Sequence, residues 1–191
     1  QFNLTQTLFK RRAYDGHKTD GRTILSAMEP PPPSGMFEVK TSSSPAPPVN
    51  DIGVGLWHFP STDPLQELVV VPGDFRLVKY SLMDDNRKLT AVRQRFLNCV
   101  KQARRQFKSI CIDCNPSSSF LTLCALHACT HVLVPVRPDK YSVLGLELLS
   151  DFVDGIISIS PKPEIIVVLN GVPRTGYRRA VENELRSHPV F

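Results

Sequence analysis

The 191 residues contain no G-x-x-x-x-G-K-[ST] and no K-G-G-x-x-K-[ST]. No segment of the chain therefore supplies the glycine-rich cradle of backbone N–H groups and the lysine that hold nucleotide phosphates. The ten glycines are scattered; Gly53 and Gly55 come closest to a glycine loop, and no Lys-Ser or Lys-Thr follows them. H-E-x-x-H and G-x-S-x-G are also missing, so a zincin site and a hydrolase nucleophile elbow are unsupported. Ser117 to Ser119 have no histidine placed by sequence to activate them. No apolar run approaches the roughly 20 residues of a membrane span. The opening, QFNLTQTLFKRR, carries its charges after its apolar residues, the reverse of a signal peptide, and it lacks an initiator Met, as a fragment or processed product would.

Cysteine is sparse and odd in number, five in all, mostly within apolar segments. That argues against a disulfide framework and for a reducing, cytoplasmic setting. Cys111 and Cys114 form one C-x-x-C, but Cys124 and Cys129 are five apart, so the paired spacing of a structural zinc site is not met. Cys111 lies within a strand pattern and not at a helix start, which disfavours a thioredoxin-like role. The expectation is that the cysteines are small buried hydrophobes.

What is present reads as one α/β domain over residues 1–191. Apolar content is 41% and charged content 21%. A net charge of +5 permits contact with nucleic acid or an acidic membrane surface and demands neither. The basic residues at Lys10 to Arg12, from Arg93 and Arg95 to Lys108, and from Arg174 to Arg186 read first as solvated helix faces.

Short helices are expected over Asn3–Arg12 and Thr23–Met28, with a polar connection at Tyr14–Asp20 between them. Four consecutive prolines and a Ser/Pro tract make 29–49 an exposed loop or disordered insertion. From Leu68 onward the pattern alternates. Strands are expected at Leu68–Val71, Ser109–Asp113, His131–Pro135 and Glu164–Leu169. Helices are expected at Asn86–Phe107, Ser118–Ala128, Tyr141–Ile157 and Arg174–Ser187. On Asn86–Phe107, Leu89, Val92, Phe96, Val100, Ala103 and Phe107 recur every three or four residues. On Tyr141–Ile157, Leu144, Leu148 and Phe152 share one line. The β-α rhythm predicts a parallel sheet between helix layers.

Ser109-Ile110-Cys111-Ile112-Asp113-Cys114-Asn115-Pro116-Ser117 is an apolar run ending on a carboxylate, followed by a proline and a serine. With LVVVPGDFRL upstream and Pro135-Val136-Arg137-Pro138-Asp139 downstream, it resembles the ParA/MinD/Soj family of deviant Walker ATPases, in the part after the P-loop. Asn115 stands where that family has the first of two prolines. Gln1-Phe2-Asn3-Leu4-Thr5 is similar to the family's first switch segment.

The resemblance implies a three-layer, mostly parallel sheet flanked by helices, P-loop NTPase-like and incomplete at both ends. It implies ATP and Mg²⁺ as cofactors. Asp113 is the implied Walker B acid, catalytic and holding Mg²⁺ through water. Asn170 would contact adenine, and Pro116, Gln1, Asn3 and Thr5 would lie along the nucleotide. A homodimer formed through nucleotide, a stimulating partner protein and non-specific DNA are the implied partners, in partitioning or cargo positioning. The plainer readings stay open beside these. Asp113 suits the start of a helix, Asn170-Gly171 suits a turn, and Asn3 or Thr5 suits a helix cap. A degenerate, non-enzymatic interaction module is the alternative for the whole.

Overall fold

A computed structural model describes residues 2–32, 34–59, 66–115, 117–172 and 179–187. Contacts divide the chain into two compact units, residues 1–128 and 129–191.

In the first unit, α1 (Phe2–Leu8) is followed by α2 (Arg11–Thr19), and the single-turn α3 (Leu25–Met28) and α4 (Val49–Ile52) come next. β1 (Val54–Phe59) and β2 (Gln66–Val70) form an antiparallel pair, with an irregularity between Gly55 and Trp57. A 3-10 helix (Phe75–Leu82), α5 (Asn86–Ala103) and α6 (Phe120–Ala128) complete the unit. The amphipathic pattern of the longest helix is realised: Val92, Phe96, Cys99, Val100 and Ala103 are buried along one face of α5. Asp85 caps its start, accepting from the N–H groups of Arg87 and Lys88. The core joins Val92, Phe96, Cys99 and Val100 to Leu25, Met28, Tyr80 and Cys124.

Two expectations change here. Tyr14–Asp20 lies largely within helix α2 and is not a polar connection. The expected strand Leu68–Val71 pairs antiparallel with β1, a strand that had no sequence reading of its own. Gly53 is a packing residue: a Cβ there would lie 2.4 Å from the Val69 Cγ1, so the close approach of α4 to the hairpin needs glycine.

Among its described residues the 29–49 tract holds no regular element before α4 begins at Val49, yet it is not wholly exposed: Glu29, Ser34, Val39 and Ala46 are buried. Prolines deny it internal backbone bonds, and side chains from elsewhere hold it. Arg95, on α5, is 6% exposed and donates to the Ser44 carbonyl. Lys79 reaches Ser34 Oγ at 2.6 Å. Arg95 thus departs from the expected solvated face.

The second unit is a β-α-β unit with a closing helix: β3 (His131–Val136), α7 (Lys140–Gly155), β4 (Glu164–Leu169) and α8 (Arg179–Ser187). β3 and β4 pair in parallel, from His131 opposite Glu164 to Val136 opposite Leu169. Val136, Leu146 and Leu185 form its core, with Val134, Val143, Val167, Leu169 and Val181 around them. Asp139 caps α7 by accepting the Ser142 N–H at 2.8 Å. Lys162 closes its other end, donating to the carbonyls of Val153, Asp154 and Ile156. The buried line of α7 contains Leu146 and Val153, whereas Leu144 and Leu148 are exposed. The helix is apolar on more than one side, so its periodicity alone does not select the face that meets the strands.

Candidate functional site

Residues 109–115 follow α5 and precede the loop into α6, as the sequence pattern requires, but they form no strand. Apolar, β-branched residues become a strand only where a neighbouring backbone satisfies their N–H and C=O groups. Among the described residues no ladder reaches this segment. Ile112 packs toward the core of the first unit, while Asp113 is exposed next to it. The turn beyond it is tied down: Ser117 N–H donates to the Asn115 carbonyl at 2.8 Å, and Thr122 Oγ1 donates to the Ser117 carbonyl at 2.5 Å. Asp113 thus presents an exposed carboxylate at the end of an apolar run, in the segment that leads to α6. A hard oxygen donor in that position suits an outer-shell contact to Mg²⁺-bound water.

Gln1 and Pro116 lie outside the described residues. Asn3 is within α1. Thr5 is 3% exposed, and its hydroxyl accepts the Gly73 N–H at 2.8 Å, pinning α1 to the turn after β2. Ile24 N–H donates to the neighbouring Pro72 carbonyl at 2.8 Å.

Asn170 ends β4 in the second unit. Its N–H donates to the Val136 carbonyl at 2.7 Å, and its side-chain oxygen accepts the Gly171 N–H at 2.8 Å. Gly171 has φ +65°, and Arg137 packs against the place a Cβ would occupy, its Nε 3.4 Å away. Both the turn reading and an exposed amide are therefore realised in one residue. The amide nitrogen, with its two donor hydrogens, suits an acceptor on a base edge. Asn170, Gly171, Arg137 and the cap Asp139 all follow the carboxyl ends of two parallel strands, where open α/β sheets place ligands.

Two buried polar clusters escaped the sequence reading. In one, Glu29 accepts from Lys79 Nζ at 2.7 Å, from the Tyr80 hydroxyl at 2.8 Å and from the Ser34 hydroxyl. Glu29 and Lys79 are each 1% exposed. Burial, then the Glu29 charge, drives the Tyr80 hydroxyl pKa well above its ordinary value. In the other, Asp74 takes a two-pronged contact from Arg76, at 2.9 and 2.6 Å, and a bond from Thr23 Oγ1 at 3.1 Å. Burial alone would raise the Asp74 carboxyl; the Arg76 bonds and charge outweigh it and hold the pKa below the usual range. The sequence signals were faint: D-x-R at 74–76 and a lysine between apolar residues at 79.

The cysteine expectation holds in part. Cys99 and Cys124 are buried, but Cys111 and Cys114 are exposed. Burial raises both inner thiols, Cys124 to about 12 with partial relief from Arg93. Among the described residues no three His, Cys, Asp or Glu side chains are grouped to hold a metal ion, and no helix is long and apolar enough to cross a membrane.

An apolar run ending in an exposed acid, followed along the chain by a parallel β-α-β unit, is the sequence order of a P-loop nucleotidase-like α/β domain. A family model described as an AAA domain matches residues 58–165, more than half of the chain, and the chain belongs to that family. It is related to the ParA family: a ParA family protein of Chlamydia muridarum is 35% identical over 92 residues, covering 48% of this chain and 36% of that protein. An uncharacterised protein of Pseudomonas putida is 34% identical over 118 residues, covering 56% and 44%. An uncharacterised protein of Mycobacterium tuberculosis is 26% identical over 150 residues, covering 68% and 47%. The chain spans less than half the length of these relatives. No solved structure matches it. The family match includes Asp113 and Pro116; Gln1, Asn3 and Thr5 precede it and Asn170 follows it.

Proposed function

We propose that this chain is the post-P-loop part of a ParA-like ATPase, a switch that dimerises around nucleotide. The supporting observation is the exposed carboxylate of Asp113, at the end of Ile110-Cys111-Ile112 and within the segment matched by the family. In this reading Asp113 is the Walker B acid and orients Mg²⁺-bound water. Asn170 meets the adenine edge from the carboxyl end of β4. Bound Mg-ATP would supply the phosphoryl group and the charge that neutralises it. The residues here orient water and read the base, and the phosphate cradle is not among them.

The complete sheet would be three-layered, with 109–113 as one of its strands. ATP-bound dimers would engage a carrier, with non-specific DNA suited by the net charge of +5, and a partner protein would stimulate release. The name of the Chlamydia relatives supports the family, and the partitioning role is an extension of it. The reading is tested by expressing the chain with its upstream coding sequence and measuring ATP turnover. Turnover that depends on Mg²⁺ supports it; an upstream sequence without a P-loop favours the alternative, a non-enzymatic interaction module. That second reading draws on Thr5, whose hydroxyl is committed to Gly73 and not offered outward.

A further inference from the structure

We propose that Ser44 is a phosphorylation site for a proline-directed serine kinase and that Arg95 binds the phosphate it receives. Ser44 is exposed, is followed by Pro45, and lies at a bend in a segment with no helix or strand. A kinase therefore reaches its hydroxyl without dismantling a regular element. Arg95, on α5, is 6% exposed. Its Nη1 donates to the Ser44 carbonyl, and the Ser44 hydroxyl oxygen lies 3.4 Å from the same nitrogen. Its Nε is buried with no partner. Among the described residues no carboxylate pairs with this guanidinium. A buried cation with five N–H donors and no counter-charge is under-compensated. A carbonyl offers it a dipole. A phosphoserine offers about −1.5 to −2 charges and three acceptor oxygens, in the forked geometry that guanidinium and phosphate share. One turn along α5 the Cys99 thiol donates to the Pro47 carbonyl at 3.6 Å, and Ala46 is buried in the core. The 44–47 segment thus already lies on α5 at two points, and the phosphate would clamp it there. Ser42 differs: its hydroxyl donates to the Ser44 hydroxyl at 2.9 Å and accepts the Ser44 N–H at 3.0 Å. The co-reactant is ATP bound to the kinase. The Ser44 Oγ attacks the γ-phosphorus, the new O–P bond forms, and the bond from phosphorus to the β–γ bridging oxygen breaks. ADP leaves, and the hydroxyl proton passes to the kinase's catalytic carboxylate. The clamp does not depend on the nucleotide reading of this protein.

The test has two arms, both on the full chain. In the first, the protein is incubated with a proline-directed serine kinase and Mg-ATP, and peptide mapping reads the site; one phosphate on Ser44, abolished by Ser44→Ala, is expected. In the second, phosphate is placed on Ser44 by genetic encoding, with phosphate on Ser42 as the control of equal charge. Hydrogen exchange of the amides in 41–47 should slow about tenfold or more with phosphate on Ser44, the scale of one charge-assisted bond, and not with phosphate on Ser42. Titration followed by phosphorus NMR should put the second pKa of the Ser44 phosphate below the usual value of about 6, because a neighbouring cation favours the dianion. Arg95→Gln should return that pKa to about 6 and remove the protection; the titration of the parent itself needs no variant. Phosphate on Ser42 or Ser43 in place of Ser44, no transfer at all, unchanged or faster exchange, or an unshifted phosphate pKa would each overturn the proposal.

Discussion

Asp74 is the residue whose titration the fold depends on most clearly. Its folded pKa lies below its ordinary value because Arg76 and Thr23 outweigh its burial. The sign follows: the stabilisation is present above the unfolded carboxyl pKa, about 3.9, and is lost as pH falls through the lower folded value. Asp74→Asn should therefore cost about 1–3 kcal/mol near neutral pH and flatten the acid limb of the stability profile below about pH 4. Urea titrations at pH 3 to 7 check this, and an unchanged acid limb would show that Asp74 is not the group responsible. In a polypeptide that binds ATP, Asn170→Ala should weaken ATP by about tenfold, the worth of one hydrogen bond of ~1.4 kcal/mol, and narrow the preference over GTP. Equal affinities in parent and mutant would leave Asn170 as a turn residue only. Asp113 and Asn170 stood out in the sequence because each ends an apolar run; their roles are proposals. Lys79 and Arg95 were not, because a charge inside a core depends on partners dozens of residues away.

At the scale of elements, α5, α6, α7, α8, β3 and β4 were legible because their apolar spacing, caps and β-branched runs all point the same way. The strand at 109–113 was not realised because a strand is a property of a pair. β1 went unread because Val54–Phe59 is short and punctuated by Gly55. The 29–49 tract was read from its prolines as a solvated loop, and composition says nothing of Glu29 reaching Lys79. That contact predicts a definite pattern. Lys79→Met leaves Glu29 buried without its counter-charge and should cost about 3–5 kcal/mol. Glu29→Leu combined with Lys79→Met removes both charges and should recover much of that loss. Thermal or urea unfolding of the single and double variants measures the coupling. A double variant as unstable as the sum of its parts would show that the pair acts independently.

For the whole molecule, the coarse class was legible from the β-α rhythm and the acid-ended run, and the family match agrees with it. The sheet as described is two separate pairs, one antiparallel and one parallel. The parallel pair leaves Leu133, Ile166 and Val168 exposed on one face, although parallel sheets ordinarily cover both. The 191-residue chain by itself should bind ATP weakly. Three missing charge-assisted phosphate contacts at about 1.5–3 kcal/mol each amount to roughly three decades or more of affinity. Calorimetry that found micromolar binding to this chain would contradict that expectation.

The most direct test of the ATPase reading is Asp113→Ala in the polypeptide that includes the upstream coding sequence, with Mg-ATP affinity and turnover measured on the same preparation. The account predicts turnover lower by about 10²-fold or more, the usual scale for removing a group that positions the reacting water, with ATP affinity changed far less. Turnover at the parent rate would contradict it and leave Asp113 as an exposed acid in the segment between α5 and α6.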